Sequence, residues 1–62
     1  NKICYFPQMQ KEMIAIIDED GDVDELFPIN SVYDEVFRIR DVNYNKSKVF
    51  IIEVTVKKEI KD

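Results

Sequence analysis

The chain has 62 residues, 45% of them hydrophobic and 35% charged, with one glycine, two prolines, one cysteine and no histidine. That composition supports one small globular domain and excludes whole-chain disorder and an internal disulfide framework. Residues 1–35 carry nine carboxylates against two lysines and residues 36–62 seven basic against four acidic side chains, so a net charge of −4 divides into halves of −7 and +3, a polarity that suits partner binding.

In chain order, Lys2–Phe6 reads as an edge strand with Tyr5 and Phe6 on opposite faces. Met13–Ile17 and Val23–Phe27 read as a hairpin around the single glycine, Gly21. A left-handed glycine after Glu19-Asp20 predicts a bulged loop that pairs Ile17 with Val23 and Met13 with Phe27. The competing reading is a helix over residues 8–17, because Met9, Met13, Ile16 and Ile17 have helical spacing after Pro7. Pro28 then interrupts the strand, and Ser31 with Asp34 three residues later predicts a capping box and one helical turn over Val32–Glu35.

From Val36 the chain reads as a second hairpin, with Val36–Tyr44 and Val49–Val56 as arms and Asn45–Lys48 as the turn. Either turn length sends Phe37, Ile39, Ile52, Val54 and Val56 to the core and sets Arg38 or Arg40 across from Glu53. The Lys57–Asp62 tail frays unless Ile60 docks. The predicted fold class is mainly β, either a small bent antiparallel sheet or an open five-stranded barrel built from two hairpins with one short helical turn. The alternative is α+β with the helix at residues 8–17.

Six of the eight residues Asp18–Glu25 are acidic. Calcium-loop spacing fails there, since placing Gly21 at the loop glycine puts ligand positions on Ile16 and Phe27. On a strand, residues two apart lie about 6.6 Å apart and point the same way, so Asp22 and Asp24 form a negative row with Asp18 and Asp20 at the turn. Such a row can imitate a nucleic-acid backbone and occupy a basic groove of a nucleic-acid-binding protein; the bland reading is a solvated tip that discourages edge aggregation. Arg38, Arg40, Lys46, Lys48 and Tyr44 form a basic segment, but the chain's negative charge argues against direct nucleic-acid binding.

Catalytic material is scarce. Histidine is absent, Cys4 has no neighbouring base beyond Lys2 and reads as a small apolar side chain, and no glycine loop is available for phosphate. No enzyme activity, cofactor or metal is expected. Leu26-Phe27-Pro28-Ile29-Asn30-Ser31-Val32 resembles the Leu-Phe-Pro-Ser-Asn-Tyr-Val segment near the end of Src-homology-three domains, over seven residues of 62. The chain has no Trp and places the segment mid-chain, so the resemblance carries no peptide-groove function.

The expected function is therefore protein binding. The acidic hairpin (Asp18, Glu19, Asp20, Asp22, Asp24, Glu25) and adjoining Phe27 would meet a partner's basic surface, with inhibition by occlusion. Small size and Ile-, Lys- and Asn-rich usage are shared with stand-alone inhibitors from phages and mobile elements. The alternative is a structural homodimer that covers an edge strand such as Val49–Val56. No apolar run reaches the roughly 18 residues of a membrane-spanning helix. The N-terminus lacks a signal-peptide layout, and a single thiol suits a reducing cytoplasm, the protein's own cell's or a host's.

Overall fold

The computed structural model describes residues 9–61. Four elements follow in order: β1 (Met9–Ile17), β2 (Val23–Pro28), α1 (Tyr33–Asn43) and β3 (Lys48–Val56). The strands form an open antiparallel sheet in the order β2-β1-β3, so the fold is mainly β with one short helix. β2 and β3 run parallel to each other on either side of β1, with α1 carrying the chain across. Among the described residues there are three strands in an open sheet, not a five-stranded barrel. The expected Lys2–Phe6 strand and Cys4 lie outside them.

β1 and β2 form the glycine hairpin, and the helical alternative for residues 8–17 gives way to a strand from Met9. Ile14, Ile16 and Ile17 are β-branched, and in an antiparallel strand their side chains alternate between two faces that both need apolar groups. Ile17 pairs with Val23 as expected, while a bulge between Ile16 and Ile17 shifts the rest, so that Ile14 faces Phe27 and Met13 faces Pro28. The extra residue is Asp24. A bulge bends the strand locally and re-aims the side chain at that point.

The expected second hairpin does not form. Val36–Tyr44 lies mostly in α1, eleven residues long, and β3 pairs instead with β1 over the full span Met9↔Val56 to Ile17↔Lys48. The reason can be read from the residues. A strand with Phe37 and Ile39 inward would also turn Asp41 and Asn43 inward, whereas a helix puts Val36, Ile39 and Tyr44 on one stripe and leaves Asp41 in water. Asp34 and Glu35 in the first turn and Arg40 in the last suit the helix dipole, and Glu35 pairs with Arg38 one turn on. The helical turn expected at Val32–Glu35 is thus the start of a longer helix. No side chain caps it, so the Ser31–Asp34 capping box is absent.

One face of the sheet carries the core: Ile14 and Ile16 with Val36 of α1, all fully buried, and Phe27, Ile39, Tyr44 and Val49 packed around them. Phe37 is 42% exposed and Val56 41%, which corrects their expected place in the core; Ile52 and Val54 are half-buried on the opposite face. Arg38 and Arg40 do not reach Glu53, because they are helical; Glu53 stands opposite Glu12 instead. Ile60 is 88% exposed and does not dock. No helix among the described residues is long and apolar enough to cross a membrane.

Candidate protein-interaction surfaces

The acidic turn is held by its own first residue. Asp18 Oδ1 accepts from the backbone N–H of Asp20 and of Asp22, both at 2.9 Å. The Asp18 N–H donates to the Asp22 carbonyl at 2.9 Å and the Gly21 N–H to the Asp18 carbonyl at 3.1 Å. An Asp side chain that bonds backbone two residues on is a turn-former in its own right. Its carboxylate is thereby spent on the backbone, and among the described residues no three acidic or cysteine side chains are grouped to hold a metal ion.

The six acidic side chains fall into two sets. Glu19, Asp20 and Asp22 project from the turn into solvent. Asp24 and Glu25 instead turn toward the helix side: the buried Ser47 hydroxyl donates to Asp24 Oδ2 at 2.6 Å and the Tyr44 hydroxyl to Glu25 Oε1 at 3.2 Å. Alternation alone would place neighbouring residues on opposite faces, so the bulge is what lets both carboxylates reach the segment after α1. Desolvation first, then the bond to Glu25 and the charges of Glu25 and Asp24, raise the Tyr44 phenol above its ordinary range. Phe27 is partly buried and packs against the core beside Ile14.

The basic segment lies next to the turn. Lys46 and Lys48 line a shallow cleft of about 110 Å³ together with Ile17, Asp18, Glu19 and Phe50. Arg40 is held by Asp41 at 2.8 Å and by the Ser47 carbonyl at 3.1 Å, with its guanidinium 5.4 Å from the Phe37 ring centre. Ser47 and Tyr44 as partners of the acidic strand had no sequence signal, since the pairing spans 19 to 23 residues and depends on the bulge.

Among the described residues no helix or strand covers the sheet face turned away from α1. In register across it stand Leu26, Ala15 and Phe50, then Met13 with Ile52, and Val54 and Val56 farther along β3. Leu26 is 45% and Phe50 44% exposed. Comparison of the chain with protein-family models, with curated proteins and with solved structures found no match.

Proposed function

We propose that this chain is a small, non-enzymatic protein-binding module that works in a cytoplasm, its own cell's or a host's. Its acidic β1–β2 turn seats on a basic surface of the partner and inhibits it by occlusion. The observation that supports this reading is the pre-formed turn, in which Asp18 fixes the backbone of Asp20 and Asp22 while Glu19, Asp20 and Asp22 stay in solvent. Charges on a backbone that is already ordered bind with less conformational entropy to lose, and a like-signed cluster accelerates encounter with a basic surface.

The test uses paired baits, the wild-type chain and the triple variant Glu19→Gln, Asp20→Asn, Asp22→Asn, whose side chains make no bond that shapes the turn. At low salt the wild-type bait retains from a lysate a protein that the triple variant loses, and the association rate with that protein falls about tenfold or more on neutralisation. Equal retention by both baits refutes the reading.

A structural homodimer is the second reading, favoured by the open sheet face with Leu26 and Phe50 exposed. Two copies stacked through this face would bury it in a sandwich with sheets about 10 Å apart. Sedimentation across a concentration series then gives a dimer that Phe50→Ser dissociates; a strict monomer removes this case.

A further inference from the structure

We propose that the outer edge of β3, which no other strand among the described residues pairs, is, with the groove between β3 and α1, a docking site for an extended segment of another protein that carries acidic residues at both ends and is taken up as a further strand. This goes beyond the acidic turn and uses a different surface.

The two edges of the sheet are not equivalent. β2 is six residues long, bulged at Asp24 and terminated by Pro28, which has no N–H to offer. Those are the features by which an edge is made unattractive to further strands. β3 is nine residues long, contains neither proline nor glycine, and keeps an uninterrupted register with β1 from Lys48 to Val56. Alternate backbone N–H and C=O groups on its outer side therefore face outward over its whole length, the template that strand addition requires.

The helix side of this edge is shaped to receive side chains. A cleft of about 190 Å³ lies between β3 and the first half of α1, lined by Ile14, Tyr33, Phe37, Val49, Phe50 and Ile51. Tyr33 is 52%, Phe37 42% and Ile51 56% exposed, so α1 flanks the edge without covering it. A strand hydrogen-bonded to β3 would point every second side chain into this cleft and the others beside Phe50 and Ile52 on the open face. The open-face row, Phe50, Ile52 and Val54, is apolar, and the helix-side row is apolar at Val49 and Ile51 before it continues with Glu53 and Thr55, so β-branched or aromatic residues suit the open face throughout and the helix side over its first half.

Charge selects the occupant. Lys46 and Lys48 stand at the start of β3, and Lys57 and Lys58 follow its end, all exposed. A second copy of β3 laid antiparallel would bring the lysines of one copy against those of the other at both ends, and like charges across a strand pair are unfavourable. A segment with carboxylates at both ends and an apolar middle meets the same edge with four attractive contacts.

The probe is a blocked ten-residue peptide with two glutamates, six residues alternating isoleucine and threonine, and two aspartates, titrated into the isotopically labelled full chain. Amide shifts should concentrate in Val49–Val56, Tyr33 and Phe37, and the same core flanked by lysines should bind about tenfold or more weakly at low salt. Ile51→Lys, at a position 56% exposed, should abolish binding while the far-ultraviolet circular dichroism and the amide spectrum of β1 and β2 stay those of the folded chain. Equal affinity for the acidic and lysine-flanked peptides overturns the proposal. So do shifts confined to the open face around Leu26, unaltered binding by Ile51→Lys, or concentration-dependent shifts of β3 in the absence of peptide, which would give the edge to a second copy.

Discussion

Gly21 sits at φ +90°, and a Cβ built there meets no heavy atom within 4 Å. The penalty for Gly21→Ala is therefore backbone strain without a steric clash, about 1–2 kcal/mol, with Gly21→Asn costing less because Asn tolerates the left-handed region. Denaturation midpoints of the two variants check this, and equal midpoints for alanine and glycine contradict it. Tyr44 gives a second prediction at the same scale. Its folded phenol holds a proton more tightly than the unfolded one, so the stabilisation is complete below the unfolded pKa of about 10 and declines as pH rises toward the folded pKa. The difference in melting temperature between wild type and Tyr44→Phe should shrink as the pH is raised past that point. Near neutral pH the variant should be the less stable of the two, having lost the bond to Glu25.

Elements were legible where a local signal fixed them and illegible where two distant elements had to choose each other. Gly21 between Ile17 and Val23 marks a hairpin on its own, and that hairpin is present. Val49–Val56 is a strand by composition alone, and β3 is present too. Adjacency in sequence favours a hairpin of β3 with Val36–Tyr44, whereas Asp41 and Asn43 make that segment a poor strand and a fair helix, and β3 pairs with β1 instead. The correction moves the energetics of α1. Val36, 1% exposed against Ile14 and Ile16, should lose about 2–3 kcal/mol on truncation to alanine, a large share of the roughly 3–9 kcal/mol available to a chain of this length. Phe37→Ala should lose under about 1.5 kcal/mol, since its ring is partly in water and alanine favours the helix. Urea titrations that rank the two the other way would mean that Phe37 and not Val36 anchors the helix.

Across the whole molecule, the charge polarity of the sequence is partly folded onto itself. The acidic half and the basic half meet at one end of the sheet, where Asp18 and Glu19 share a cleft with Lys46 and Lys48, and Asp24 and Glu25 are taken up by Ser47 and Tyr44. The sequence could show that unlike charges were segregated; which carboxylates stay free for a partner is fixed only by the bulge that re-aims Asp24 and by the helix that brings Tyr44 and Ser47 across. Of the candidate contacts, Glu19, Asp20 and Asp22 are left facing solvent. Lys46 and Lys48 make no ion pair with the turn, so their effect on it is through the field and should be small and screened. Reversing both, Lys46→Glu with Lys48→Glu, is predicted to lower stability by about 1 kcal/mol at low ionic strength and by much less in about 1 M salt, where the screening length falls to about 3 Å. A loss that persists unchanged in high salt would mean that the two lysines act by packing their stems over Ile17 and Phe50, and the apposition of opposite charge would then be a by-product of that packing.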